Sequence, residues 1–185
     1  MYENQKQDVG SLAADADERV SGRRVLVLGL GNLLLRDEGI GVHVAAELQK
    51  MELPANAEVV DGGTAGMDIL LSQEGSYKLV VIDAMTGGKQ PGTIYRTHFG
   101  ARQIDRLKDL FSQMDEFRIS LHQVGLIDAL IVARKMGCAP NEVVIIGVEP
   151  MEMDTGLEPT GPIKQRIPEI INTVLEEIKN AVHSK

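Results

Sequence analysis

Four short runs of branched apolar residues divide this chain, and each is followed at once by glycine or an acidic residue. Val25 to Leu28, Ala57 to Val60, Lys78 to Ile82 and Val143 to Val148 read as buried strands. A fifth stretch, Thr93 to Thr97, alternates Ile94 and Arg96 against Tyr95, which suits an edge strand. Helical periods lie between and after them. Val44, Ala45, Leu48 and Met51 share one face of a helix that turns His43, Glu47 and Lys50 elsewhere. Met67 to Leu71 reads as a short helix, and Arg102 to Met114 as partly helical. Ser120 is placed to cap a helix from about His122 to Met136, which Gly137 stops. Val124, Leu126, Ile127, Leu130 and Ile131 make that helix apolar on most sides, so it is expected to be well buried. Pro162 starts a helical turn and Pro168 a long last helix, with Ile170, Ile171, Val174, Leu175 and Ile178 as its core face.

Strands alternating with helices predict an α/β fold: a five-stranded, mostly parallel sheet with helices on both faces. A chain of 185 residues needs no second domain, so residues 23–185 are expected to form a single one. Residues 1–22 are polar and acidic, lack the basic start and apolar stretch of a signal peptide, and read as a flexible tail. Ligands of such sheets bind at the carboxyl ends of the strands, which selects the loops after strands one, two, three and five.

Composition removes several function classes. A formal net charge of −8 argues against nucleic acid or an anionic membrane surface as partner. No apolar run reaches the ~20 residues of a membrane span. The single cysteine, Cys138, rules out an internal disulfide and a cysteine-rich zinc site, and reads as a small half-buried residue beside Gly137. A reducing cytoplasm and a monomer are expected.

The first strand and its turn, Gly29-Leu30-Gly31-Asn32 and on to Gly41, have the outline of a dinucleotide fingerprint but not its chemistry. Leu34 occupies the position of the third glycine, and the turn is too long. Asp37 and Glu38 stand where a helix N-terminus would receive a pyrophosphate, and two carboxylates there favour a cation instead, unless they only complement the helix dipole. There is also no Gly-x-Ser-x-Gly elbow, no phosphate loop and no His-Glu-x-x-His helix.

The selected loops carry Glu38, Asp61 and Asp83, and His122 opens the buried helix. Two or three carboxylates with one imidazole suit a divalent metal such as zinc or nickel and leave positions open for substrate or water. Each has a plainer alternative: a dipole partner at Glu38, a turn residue at Asp83, a capping or satisfied histidine at His122. His43, His98 and His183 have no such placement and are expected at the surface.

Four blocks, in order, make the chain resemble the hydrogenase maturation endopeptidases, which process the large subunit of nickel–iron hydrogenases. They are Gly29-Leu-Gly-Asn32 with Arg36-Asp-Glu-Gly39 and Gly41; Asp61-Gly-Gly-Thr64; Val81-Ile-Asp83-Ala84; and Ser120-Leu-His122-Gln123. Gly147-Val-Glu-Pro150 is a further match. The resemblance runs from about Arg24 to Ile178. It implies a sheet with one antiparallel strand, for which Thr93 to Thr97 is the candidate, and metal binding by Glu38, Asp83 and His122.

The activity so implied is cleavage of one bond, releasing a short C-terminal extension from the precursor of the hydrogenase large subunit. Nickel would arrive inside that precursor, and zinc or cadmium would substitute in vitro. The metal would polarise the scissile carbonyl or acidify a bound water, or it would only position the bond while a carboxylate activates water. Asp61 is the candidate for that carboxylate; its alternative is an ordinary Asp-Gly-Gly turn. The segment from Met151 to Gly161 is variable in the family and is left without an expected structure.

Overall fold

The computed structural model describes residues 23–64, 76–104, 106 and 121–183, with the side chains of 121–124 and 182–183 left aside. Elements are numbered among these residues. Strand β1 (Val25–Leu30) is buried along its whole length, as its unbroken apolar run requires. It lies between β2 (Ala57–Gly63) and β3 (Lys78–Ala84), parallel to both. Strand β5 (Glu142–Val148) continues the parallel run beside β3. Strand β4 (Ile94–Gly100) closes the sheet as an antiparallel edge, giving the order β2-β1-β3-β5-β4. The connection from β3 to β4 explains that reversal. A parallel return needs a crossover of about a dozen residues or more, and only the turn-rich stretch from Met85 to Thr93 separates the two strands.

Period-two alternation along the central strands sends side chains to two cores, with helices on both faces as expected. Val25, Val27, Val80, Ile82, Val144 and Ile146 pack against α1 (Ile40–Leu48) and the final helix α5 (Ile167–His183), through Ile40, Val44, Ile170, Val174 and Ile178. Leu26, Leu28, Leu79, Val81 and Ile145 pack against α3 (Leu121–Met136), through Leu126, Ile127 and Leu130. Two short helices complete the set, α2 (Ala101–Ile104) and α4 (Gly161–Lys164). No helix among the described residues is long and apolar enough to cross a membrane.

Some local expectations change. Helix α1 stops at Leu48, so Met51 leaves the core face and is exposed. Helix α3 buries one face only; Val132 and Met136 on the other are exposed. Gly137, at φ 78°, ends it as expected. Helix α2 accounts for the start of the stretch from Arg102 to Met114, whose remainder lies almost wholly outside the described residues, as do Met67 to Leu71 and Ser120. Cys138 is half-buried, its thiol 3.5 Å from the Ala133 carbonyl.

The amino end of the sheet holds an ion network. Lys78 is buried and its Nζ lies 2.5 Å from Glu177 and 3.2 Å from Glu142. Arg96 also bonds Glu177, and His98 Nε2 stands 3.3 Å from it. Burial works against the Glu177 charge, but the Lys78 ammonium, then Arg96 and His98, hold its carboxyl below the usual range. With the folded value depressed, the network's stabilisation is complete above the ordinary carboxylate pKa and fades as pH falls through the folded value. Among the described residues, Lys78→Met leaves Glu177 with Arg96 and His98. It is expected to cost about 3 kcal/mol, the lower end for breaking a buried pair. Urea denaturation measures it; a loss below about 1 kcal/mol would make the network no stronger than a surface pair.

Candidate active site

The turn after β1 is built by close backbone contacts. Gly31, at φ 136°, has room for no side chain: a Cβ there would stand 2.0 Å from the Glu38 carbonyl oxygen. At Gly41 a Cβ would stand 2.1 Å from the Ile82 carbonyl oxygen, so glycine lets α1 lie directly on β1 and β3. The Gly31 N–H donates to Gly63 O at 2.9 Å. That bond takes the donor a nucleotide phosphate would need, in keeping with the failed fingerprint.

Between the turn and α1 a single 3-10 turn, Arg36–Gly39, carries the acidic pair. Arg36 sits at φ 44°, an unusual conformation for a non-glycine residue, immediately before the acidic pair. The two carboxylates have opposite fates. Asp37 is fully buried and accepts from the backbone N–H groups of Met151, Glu152 and Thr160, at 2.9, 3.0 and 2.6 Å, and from the Thr160 hydroxyl. It is therefore a strut that ties the turn to the segment from Met151 to Thr160. Glu38 is half-buried, and its Oε2 is buried with no hydrogen-bond partner among the described residues. A buried carboxylate oxygen left unpaired is costly. A cation brought to it would satisfy it, so this residue fits a ligand role.

Asp83 is fully buried near the end of β3, and its Oδ1 accepts from the Ala84 N–H at 2.9 Å. Asp61 pairs with Gly29 across β2 and β1, near the carboxyl end of its strand. It is exposed, and its Oδ1 accepts from the Gly63 N–H at 2.9 Å with Gly63 at φ 45°. So Asp61 does form the expected turn, through one oxygen. His122 lies in the first turn of α3, and its side chain is outside the described set. Glu38, Asp61 and Asp83 thus share the carboxyl end of the sheet. Among the described residues they do not by themselves bring three ligand atoms within 4.8 Å of one another; His98, Glu142 and Glu177 do. That second group already has Lys78 and Arg96 as its cations.

Two residues acquire roles the sequence did not disclose. Glu149, after β5, is buried and gathers the N–H groups of Gly87, Gly88 and Lys89 together with the Tyr95 hydroxyl. Burial and then the Glu149 hydrogen bond push the Tyr95 hydroxyl up to about 12, so it stays a donor. Although burial opposes the Glu149 charge, Tyr95 and those N–H groups hold its carboxyl below the usual range. This knot fixes the loop that leaves Asp83. The Glu-Pro pair at the strand end was its only sequence signal. His43, expected at the surface, is half-buried, with a buried Nε2 that has no partner among the described residues; His98 is exposed as expected.

Comparison with known proteins gives the same direction from three sides. The hydrogenase maturation protease family model matches residues 42–177. Hydrogenase 2 maturation protease of Escherichia coli K12 is 36% identical over 163 residues, covering 86% of this chain and 90% of that protein. A protein of Rhodobacter capsulatus named hydrogenase expression/formation protein HupD is 38% identical over 132 residues; the alignment covers 71% of this chain and 59% of that protein. Among solved structures, the hydrogenase maturating endopeptidase HybD of E. coli superposes with a TM-score of 0.73 at 33% identity, covering 85% of this chain and 93% of that one. A hydrogenase 2 maturation peptidase from a Thaumarchaeota archaeon does so with a TM-score of 0.65 at 31% identity, covering 84% and 98%.

Proposed function

The chain belongs to the hydrogenase maturation protease family, and from that premise we propose that it is the endopeptidase that trims a nickel–iron hydrogenase large subunit. Its substrate is the nickel-loaded precursor, from which it removes a short C-terminal extension. Glu38, Asp83 and His122 recognise the nickel that the precursor carries, and Asp61 acts on the water at the scissile bond.

The observation that carries this reading is the buried Oε2 of Glu38, which has no hydrogen-bond partner among the described residues. It sits at the carboxyl end of the sheet, where β3 also delivers Asp83. A nickel ion in the precursor would satisfy that oxygen, and can polarise a nearby carbonyl or acidify a bound water. Asp83 is held rigidly by its strand and by the knotted loop that follows. Asp61 keeps one oxygen in its turn and presents an exposed carboxylate at the rim, a suitable place for a general base.

The test is incubation of the chain with a large-subunit precursor, with and without nickel, following the subunit's mass. The nickel-loaded precursor is expected to lose its extension and the nickel-free one to keep it, even with enzyme in excess. Equal processing of both would remove the metal from the recognition step while leaving the protease. Binding of the nickel-loaded form with no mass loss would make the chain a metal-dependent chaperone.

A further inference from the structure

Five exposed apolar residues lie on the two segments that flank the turn carrying Glu38. Leu33 and Leu34 precede its turn; Met151, Met153 and Leu157 lie on the segment that Asp37 ties down, and their exposures run from 40% to 66%. The two segments are joined to each other: Gly156 N–H donates to Leu34 O at 2.9 Å, Arg36 N–H donates to Gly156 O at 2.9 Å, and Leu35 and Gly156 form a parallel bridge. Asp37 N–H donates in turn to Glu152 O at 3.2 Å. The patch is therefore a built surface, not two loose loops.

Large apolar side chains left exposed together on a monomer often mark an interaction site. The other large exposed apolar residues among the described ones, Met51, Val132 and Met136, lie after α1 and on α3. Location identifies the occupant. A macromolecule that brings a cation to Glu38 Oε2 meets the turn carrying Glu38, which follows Leu33 and Leu34 and is bonded to Gly156, the neighbour of Leu157. A free metal or a short polar peptide would leave this apolar rim in water.

From these observations we infer that Leu33, Leu34, Met151, Met153 and Leu157 form the docking surface for the folded body of the large-subunit precursor. This rests on the proposed function and extends it. The enzyme selects its substrate by an apolar protein face around the metal as well as by the metal. Because the segments are pinned before binding, little ordering entropy is lost on contact.

The test uses the full-length chain and purified nickel-loaded precursor, comparing Leu34→Asp and Leu157→Asp with Met136→Asp at the opposite end of the sheet. Leu34→Gln and Leu157→Gln serve as milder replacements, and thermal melts verify folding. Both patch variants are expected to weaken precursor binding at least tenfold, with the single-turnover cleavage rate at saturating enzyme kept within about twofold. Met136→Asp is expected to match the unaltered chain in both. If all four patch variants bind the precursor within twofold of the unaltered chain, the docking surface is wrong and the protease assignment stands. Failure of the unaltered chain to bind or cleave the precursor overturns the proposed function and this inference with it.

Discussion

Asp37→Ala is expected to lower stability by about 3–5 kcal/mol and to abolish precursor processing, although Asp37 touches neither metal nor scissile bond. Its carboxylate is fully buried and receives three backbone N–H groups and one hydroxyl. Each donor left unsatisfied in a buried setting costs about 1–3 kcal/mol. Water can reach the partly exposed amides of Met151 and Glu152 more easily than the buried amide of Thr160, which keeps the total below the simple sum. For a chain of this size each kcal/mol moves the melting temperature by about 2–4 °C. The functional loss follows from geometry. Released from Asp37, the 151–160 segment no longer backs the turn that holds Glu38, and the apolar surface splits in two. Hydrogen exchange should show the amides of Met151, Glu152 and Thr160 losing protection together. Asp37→Asn is expected to fall between, because its amide group presents N–H to donors that need an acceptor. A stability loss under 1 kcal/mol for Asp37→Ala, or retained processing, would show that the segment is held by its own backbone bonds.

The contrast between Asp37 and Glu38 also marks how far the sequence could be read. The single antiparallel edge is implied by the family resemblance, and the short β3–β4 connection is its physical reason, whereas the strand runs and the two-sided helical packing follow from local pattern. So does the placement of Glu38, Asp61 and Asp83, because each stands at the carboxyl end of a legible strand. What separates adjacent carboxylates is nonlocal. The hydroxyl and amide that fix Asp37 belong to Thr160, 123 positions away, in a segment with no periodicity to place it. Lys78 opens a stretch that reads as a buried strand and is buried, but its partner is hidden for the same reason: it pairs with Glu177, which sits within the amphipathic last helix. Glu149 looked like the end of a strand and proves to be the point where a loop, a strand and a tyrosine hydroxyl meet. Pairings of this kind carry no sequence period, so only the fold discloses them.

Asp61→Asn is expected to slow cleavage by about 10²–10⁴, the usual contribution of a general base, with fold and precursor binding intact. The structure gives the substitution an unusually clean background. Asp61 is exposed, and the one bond it makes among the described residues is accepted by Oδ1 from Gly63 N–H at 2.9 Å. Asparagine keeps that oxygen and tolerates the same turn, so stability should stay within about 0.5 kcal/mol of the unaltered chain. Only the charge and the proton-accepting oxygen are lost. Glu38→Gln is the necessary partner experiment, since it removes a charge of the same sign from the same end of the sheet. If Glu38 recognises the substrate's nickel, that variant should bind the nickel-loaded precursor more weakly and lose its preference over the nickel-free form. Asp61→Asn should keep both the affinity and the preference while turning over slowly. Near-normal cleavage by Asp61→Asn would reduce this residue to the turn it visibly caps. Loss of the nickel preference in Asp61→Asn would instead make it a ligand, and the base would have to be sought among Glu38, Asp83 and the water-activating power of the substrate's own metal.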